Sequence, residues 1–195
     1  DRSSAASDVY KRQELWTWNE MEVPTLQRDG RYRQDKSVTY IYDIFSKKLT
    51  EVAPFTVDLL LPSGAENLNY VLYTDESPYK MQREWLDRLP FDIYSVNVHT
   101  GAKRLIGRSY RTAPKWSVNG KWAVMYDPIA QVWNKFDGAT GKVVNISDAI
   151  GYPMFVESYD KPAPAPAYGI AGWTADGNNV FLYDAYDWWK IDLTG

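Results

Sequence analysis

The residues that could carry out hydrolysis are few and scattered in this sequence. An α/β serine hydrolase places its nucleophile in a GxSxG turn and adds an aspartate and a histidine from elsewhere in the chain. The nearest segment, Gly107-Arg108-Ser109-Tyr110-Arg111, lacks the second glycine. His99 is the single histidine, and no neighbour in the turn Val98-His99-Thr100-Gly101 would orient it as a base. We therefore expect His99 to be a solvated turn residue and expect no catalytic residue in this chain.

Oxygen atoms are the remaining ligands for a metal ion, because the sequence has one histidine and no cysteine. Asp75, Asp127 and Asp184 are candidates for calcium coordination. Each follows a short apolar run, a position where an aspartate commonly accepts hydrogen bonds from the next backbone N–H groups and starts a turn. We predict this turn role for all three, with no metal and no cofactor.

The sequence has nine tryptophans, which could form a platform for sugar rings. Several of them fall at predicted strand positions, where packing between sheets is the favoured use of an indole ring. These are Trp16, Trp122, Trp173 and Trp189.

Two insertions interrupt an otherwise regular pattern, and such loops commonly carry binding residues. In the first, residues 76–90, Met81, Trp85 and Leu89 lie four apart, which predicts one or two helical turns with a common apolar face. The pair Arg83 and Glu84 in this insertion is the candidate for substrate contact, although a solvated face is the favoured alternative. The second insertion, residues 152–168, contains KPAPAPAY and predicts an extended polyproline segment.

A sequence repeat of short strands and turns surrounds these residues. The stretch GIAGWTADGNNVFLYDAYDWWKIDLTG, residues 169–195, reads as three strands and their turns, and residues 113–147 repeat it with Asn119-Gly120 in place of Asp176-Gly177. A looser copy precedes both. Thr-Gly turns begin at residues 100, 140 and 194, which are 40 and 54 residues apart. Short antiparallel strands repeated at about 40–45 residues are typical of β-propeller blades.

The repeat predicts an all-β fold, a partial β-propeller of about three to four four-stranded antiparallel blades. Inner strands are expected near residues 56–60, 113–116 and 170–173, and a hairpin at 38–45 and 49–52. The runs YVLY, WAVMY and VFLY lack alternation, which indicates strands that neighbouring blades cover on both faces. The first unit lacks its opening strand and the last lacks its closing strand, while residues 19–36 form a loop or short helix.

Composition limits the possible partners. The formal net charge is −3 and the sequence pI is about 5.2, which gives no electrostatic reason to expect nucleic acid or an anionic membrane surface. The sequence contains no apolar run of transmembrane length. Without cysteine there is no disulfide framework, but this leaves the compartment open.

The first thirteen residues differ from the rest. Residues 3–13, SSAASDVYKRQ, resemble a translated sequencing adapter more than any protein element. We therefore predict that residues 1–13 are a non-native segment that packs against nothing, and that residues 14–195 form the propeller domain.

The order ELWTW, TYIYDI, the Thr-Gly hairpins and then YGIAGWTADGNNVFLYDAYDWWKID resembles the N-terminal propeller of bacterial prolyl oligopeptidase-family serine peptidases of the dipeptidyl-peptidase-like branch. The last run is the most specific part. This resemblance implies a fragment of a non-catalytic, substrate-gating domain. Its partners would be peptide substrates and a C-terminal α/β-hydrolase domain holding the Ser, Asp and His. It also implies a periplasmic or secreted parent that cleaves short peptides, often after proline.

The family's acidic pair, which captures the amino terminus of a peptide, has no match, since Arg83-Glu84 is not a Glu-Glu pair. A propeller binding protein of the TolB-like periplasmic type, with no enzyme domain, would show the same repeats. A self-contained four-bladed ring is a third reading, against which the missing strands argue. A GxSxG turn in the downstream reading frame would distinguish the peptidase from the scaffold.

Overall fold

The computed structural model describes residues 38–54, 57–62, 69–83, 85–86 and 88–195. Residues 1–13, the expected strand with Trp16, the loop at 19–36 and Glu84 lie outside them. In the described part the regular structure is β-strand apart from one short 3₁₀ helix, Ser77–Gln82. The prediction of an all-β fold is therefore confirmed.

The strands of the described residues form four antiparallel sheets that follow one another along the chain. Sheet 1 consists of β1 (Thr39–Asp43) and β2 (Lys48–Ala53). Sheet 2 consists of β3 (Asp58–Leu60), β4 (Tyr70–Asp75), β5 (Phe91–Asn97) and β6 (Lys103–Tyr110). Sheet 3 consists of β7 (Lys115–Trp116), β8 (Trp122–Asp127), β9 (Val132–Asp137) and β10 (Val143–Asn145). Sheet 4 consists of β11 (Ile170–Trp173), β12 (Asn179–Tyr183) and β13 (Trp188–Asp192).

Each strand pairs with its neighbours in the chain, so every sheet is an antiparallel meander with open edges. The expected strands are present, with small differences at their ends. Strand β11 matches the expected range, whereas β7 begins at Lys115 instead of residue 113 because Pro114 has no N–H to donate to the ladder.

The sheets stack face to face in chain order, with a separate apolar core between each successive pair. Strand β8 illustrates why its sequence does not alternate. Ala123 and Met125 lie in the core shared with sheet 2, whereas Val124 and Tyr126 lie in the core shared with sheet 4. Both faces of sheets 2 and 3 are therefore covered, as the continuous apolar runs predicted.

The core between sheets 2 and 3 is centred on Phe136 of β9, which is fully buried. Its ring meets Tyr70 and Trp116 edge to face, with centroid separations of 6.4 Å and 6.1 Å. The Trp116 indole N–H also donates to the Leu60 carbonyl at 3.1 Å. Aromatic contacts of this geometry add to the free energy gained by burying the rings, and they join strands of both sheets.

The outer faces of sheets 1 and 4 present aromatic and aliphatic side chains to solvent within the described residues. In sheet 4, Val180 and Leu182 point into the core, whereas Tyr183 and Trp188 on the other face are exposed. Sheet 1 repeats this arrangement, with an outer face that bears Tyr40, Tyr42 and Leu49.

The first insertion contains helical turns, as its spacing predicts, but not the predicted apolar face. It forms the 3₁₀ helix Ser77–Gln82, started by Asp75, whose Oδ1 accepts the Ser77 N–H at 2.8 Å. Leu89 is buried, but Met81 and Trp85 are exposed, so the prediction of a common apolar face is wrong. The helix is only six residues long, and 3₁₀ geometry places residues i and i+3 on one face, not i and i+4.

Tight turns of successive sheets also contact one another. Gly177 adopts a φ of 69° in the turn that joins β11 to β12, and its N–H donates to the Thr174 carbonyl at 2.8 Å. Beside this turn, the side-chain amide of Asn119, in the β7–β8 turn of sheet 3, donates to the Asp176 carbonyl at 2.8 Å. The backbone of this glycine therefore lies directly against the preceding sheet.

Gly177→Ala should destabilise the fold by about 1–3 kcal/mol, because a side chain is strained at positive φ. A Cβ atom there would also lie 2.7 Å from Asn119 Cγ and 2.8 Å from its backbone N. The measurement is the urea midpoint followed by tryptophan fluorescence. Gly151→Ala is the control, since a Cβ at Gly151 meets no atom within 4 Å, and it should leave the midpoint unchanged. Equal midpoints for the two variants would contradict this close contact.

Candidate functional site

A cavity of about 440 Å³ opens at one end of the stacked sheets, where strands are connected. In a meander, every second connection lies at the same end of the strands. The connections β4–β5, β6–β7, β8–β9 and β10–β11 therefore lie together at one end of the stack. Each contributes to the wall. The lining residues are Arg88, Arg111, Thr112, Tyr126, Pro128, Tyr159, Pro164 and Pro166. Both insertions identified in the sequence therefore meet at this cavity.

The second insertion forms a fixed wall. Phe155 and Ala167 form an isolated antiparallel bridge, and the Val156 N–H donates to the Pro166 carbonyl at 2.9 Å. Met154, at the base of this loop, is buried in the core between sheets 3 and 4. These contacts hold Pro164 and Pro166 in place before any ligand arrives.

Tyr126 is the penultimate residue of β8 and forms the floor of the cavity. Its side chain is buried and packs against Trp133, with the two rings tilted by 54° and their centroids 5.4 Å apart. Burial, together with the nearby charge of Asp127, raises the pKa of Tyr126 to about 12. The phenol therefore stays protonated at neutral pH, and it donates to the Ala165 carbonyl at 3.4 Å, which ties the floor to the proline-rich wall.

The charged residues among the described lining residues are two arginines. Arg88 lies near the end of the first insertion and is exposed, and Arg111 follows β6 and is half-buried. Within the described ranges, neither guanidinium forms an ion pair. Asp127, between the lining residues Tyr126 and Pro128, accepts the N–H groups of Ile129 and Ala130 with its Oδ1, at 2.9 Å and 3.0 Å. The cavity therefore combines positive charge with apolar proline and tyrosine surfaces.

The three aspartates proposed as metal ligands or turn residues all serve as turn residues. Asp127 starts its turn as described above, Asp75 accepts the Ser77 N–H, and Asp184 Oδ1 accepts the N–H groups of Tyr186 and Asp187. The Asp187 N–H foremost, and then the Trp189 indole, lowers the pKa of Asp184. Among the described residues, no group of three or more His, Asp or Glu side chains could hold a metal ion.

His99 and Ser109 are far apart, at opposite ends of β6. His99 is exposed in the β5–β6 turn, where its Nε2 lies 3.2 Å from Asn69 Oδ1 and its N–H donates to Asn97 Oδ1 at 3.0 Å. Ser109 takes a left-handed φ of 58°, and its N–H donates to Asp92 Oδ1 at 3.1 Å. His99 is thus a solvated turn residue, as expected, with Asn69 as a partner that the sequence pattern did not indicate.

The tryptophans that the structure describes at predicted strand positions pack between sheets. Trp122, Trp173 and Trp189 all lie against the core between sheets 3 and 4. Trp133, which the sequence analysis did not single out, is more deeply buried in the same core. Packing, not a sugar platform, is therefore the role of these rings, while Trp16 lies outside the described residues.

Arg83 follows the 3₁₀ helix, and its N–H donates to the Lys80 carbonyl at 3.2 Å. It is exposed and is not among the cavity-lining residues, and its predicted partner Glu84 lies outside the described residues. The arginines that do line the cavity are Arg88, from the same insertion, and Arg111. Arg111 belongs to the segment 107–111 that resembles an incomplete GxSxG turn, so its signal was present but pointed to other chemistry.

In the described part of the chain, no helix is both long and apolar enough to span a membrane. No protein-family model matches the sequence, and no curated protein is significantly similar to it.

Proposed function

We propose that this chain is part of a β-propeller that serves as the substrate-gating domain of a serine peptidase of the prolyl oligopeptidase family. The observation that carries the proposal is the serial stacking of meander sheets in chain order, with sheets 2 and 3 covered on both faces. Successive blades of a propeller pack in this manner. The peptidase assignment rests on the sequence resemblance.

The segment with the strongest resemblance, residues 169–192, builds sheet 4. Its distinctive residues have structural roles. Trp173 and Trp189 pack on the core, and Asp184 holds the turn by accepting the Trp189 indole N–H at 2.8 Å. The resemblance is therefore carried by residues that a blade of this type needs, which supports a shared fold with the family's propeller.

In this proposal the propeller limits access of peptides to an α/β-hydrolase domain in the same polypeptide, which supplies the Ser, Asp and His. The parent would cleave short peptides, often after proline, in the periplasm or outside the cell. The end of the stacked sheets that carries both insertions is the part of the chain suited to contact a peptide, because loops from four connections converge there.

A TolB-like propeller scaffold without enzymatic activity is the alternative. One observation favours it: residues of this chain alone line a cavity of about 440 Å³, so a binding function needs no further domain. The two proposals make different predictions for the adjoining gene sequence.

The test is to sequence the genomic locus on both sides and to assay the encoded polypeptide. We expect a downstream GxSxG turn followed by Asp and His, and cleavage of Ala-Pro-p-nitroanilide that the Ser→Ala variant of that turn abolishes. The 195-residue chain alone should match buffer in the same assay. A reading frame with further repeats and no such turn would favour the scaffold, and turnover by the chain alone that His99→Ala abolishes would overturn both proposals.

A further inference from the structure

We propose that the cavity between the two insertions binds the carboxylate of a small ligand with a compact apolar body, such as a short peptide that ends in proline. Arg88 and Arg111 would bind the carboxylate, while Pro128, Pro164 and Tyr159 would contact the apolar part. This site is independent of the peptidase proposal, since it would serve a gating domain and a scaffold equally.

The charge of the lining residues selects an anion. Two guanidinium groups reach the cavity, and none of the lining residues that the structure describes is acidic. Asp87, which precedes Arg88 in the sequence, lies outside the described residues. Of the described acidic residues adjacent in sequence to the lining residues, Asp127 has its Oδ1 occupied by two backbone N–H groups, and Asp160 is exposed. A planar guanidinium can donate two parallel hydrogen bonds to a carboxylate, which makes arginine well suited to this ligand.

The rest of the wall selects a ligand with an apolar body. Three prolines and two tyrosines line the cavity, and prolines offer rigid apolar surface without N–H groups. A volume of about 440 Å³ exceeds the space that a lone inorganic anion would fill and lies within the range of small-molecule sites. The expected ligand is therefore an organic acid, not a free phosphate ion.

The cavity is preorganised, which favours binding of a small ligand. The bridge between Phe155 and Ala167 and the bond from the Val156 N–H to the Pro166 carbonyl fix the proline-rich wall. The Tyr126 hydroxyl joins this wall to sheet 3 through the Ala165 carbonyl. Because these groups are already ordered, binding loses little conformational entropy in the protein.

The probe is N-acetyl-Ala-Pro, compared with N-acetyl-Ala-Pro-amide, which differs only in lacking the terminal negative charge. Saturation-transfer NMR on the complete chain reads binding from the small ligand, so self-association of the protein does not obscure it. We expect the acid to bind at least about tenfold more tightly than the amide, as charge-assisted bonds to arginine require. Inorganic phosphate should compete weakly. Equal binding of acid and amide would overturn the proposal.

Arginine variants locate the interaction. Arg111→Gln and Arg88→Gln should each weaken acid binding several-fold, and the double variant should remove the preference for the acid. Arg104→Gln is the matched control, because Arg104 is an exposed arginine near the start of β6, about 20 Å from its far end. Circular dichroism checks that each variant is folded. An equal loss in the control, or phosphate binding as tightly as the acid, would contradict the site and show nonspecific anion attraction only.

Discussion

The 195-residue chain expressed alone should self-associate, and charged residues placed on its two outer sheet faces should convert it to a monomer. The outer face of sheet 4 bears Trp188, which is 59% exposed and contacts Phe181 edge to face at 5.2 Å. The outer face of sheet 1 bears Tyr40, Tyr42 and Leu49. Apolar sheet faces of this kind drive association unless a neighbour covers them, which in a propeller is the next blade.

The variant that tests this prediction is Tyr42→Lys combined with Trp188→Lys. Light scattering after size-exclusion chromatography should show large species for the unmodified chain and a particle near 22.5 kDa for the variant. Lysine on an exposed sheet face opposes the stacking of a second sheet by its charge and hydration.

Trp85→Lys is the control, because Trp85 is 81% exposed but lies in the first insertion instead of on a sheet face. It should leave association unchanged. If the unmodified chain is already a clean monomer with a sharp cooperative melt, the stack needs no further sheets, and the proposal that it is part of a larger propeller must be withdrawn.

The fold could be predicted from sequence because its signals are local. Gly177 marks a turn by its need for positive φ, and Asp184 marks another by capping backbone N–H groups. The run WAVMY of β8 predicts cover on both faces, since alternate residues must enter different cores. In the first insertion the predicted helical turns are present, but the predicted apolar face is not, because spacing alone does not distinguish an amphipathic helix from a 3₁₀ turn with exposed apolar residues.

The cavity could not be predicted in this way. Arg88, Arg111 and Pro164 are far apart in the sequence. They meet only because alternate connections of a meander lie at the same end of the strands. The sequence indicated both insertions as binding loops, but the position of each arginine depends on how sheets 2 and 3 stack. The sequence analysis also did not single out Trp133, which is buried.

Phe136→Ala should be the most destabilising single substitution considered for this chain, with a loss of about 3–5 kcal/mol in the free energy of unfolding. Phe136 is 0% exposed and lies in the core that joins sheets 2 and 3. Removing its ring leaves a cavity beside Tyr70 and Trp116 and deletes both edge-to-face contacts. Neighbouring strands cannot close this gap easily, because β8 and β10 hydrogen-bond to β9 on both sides.

Thermal melting in the Tyr42→Lys, Trp188→Lys background measures the effect without interference from association. For a chain of this size, such a loss lowers the melting temperature by about 2–4 °C per kcal/mol, or roughly 10 °C. Phe45→Ala makes the same change at a phenylalanine that is 92% exposed, and it should shift the free energy by less than about 0.5 kcal/mol. Similar small shifts for the two variants would mean that sheets 2 and 3 do not share a packed core in solution. The stacking that brings Arg88 and Arg111 to one cavity at the end of the sheets would then lose its structural basis.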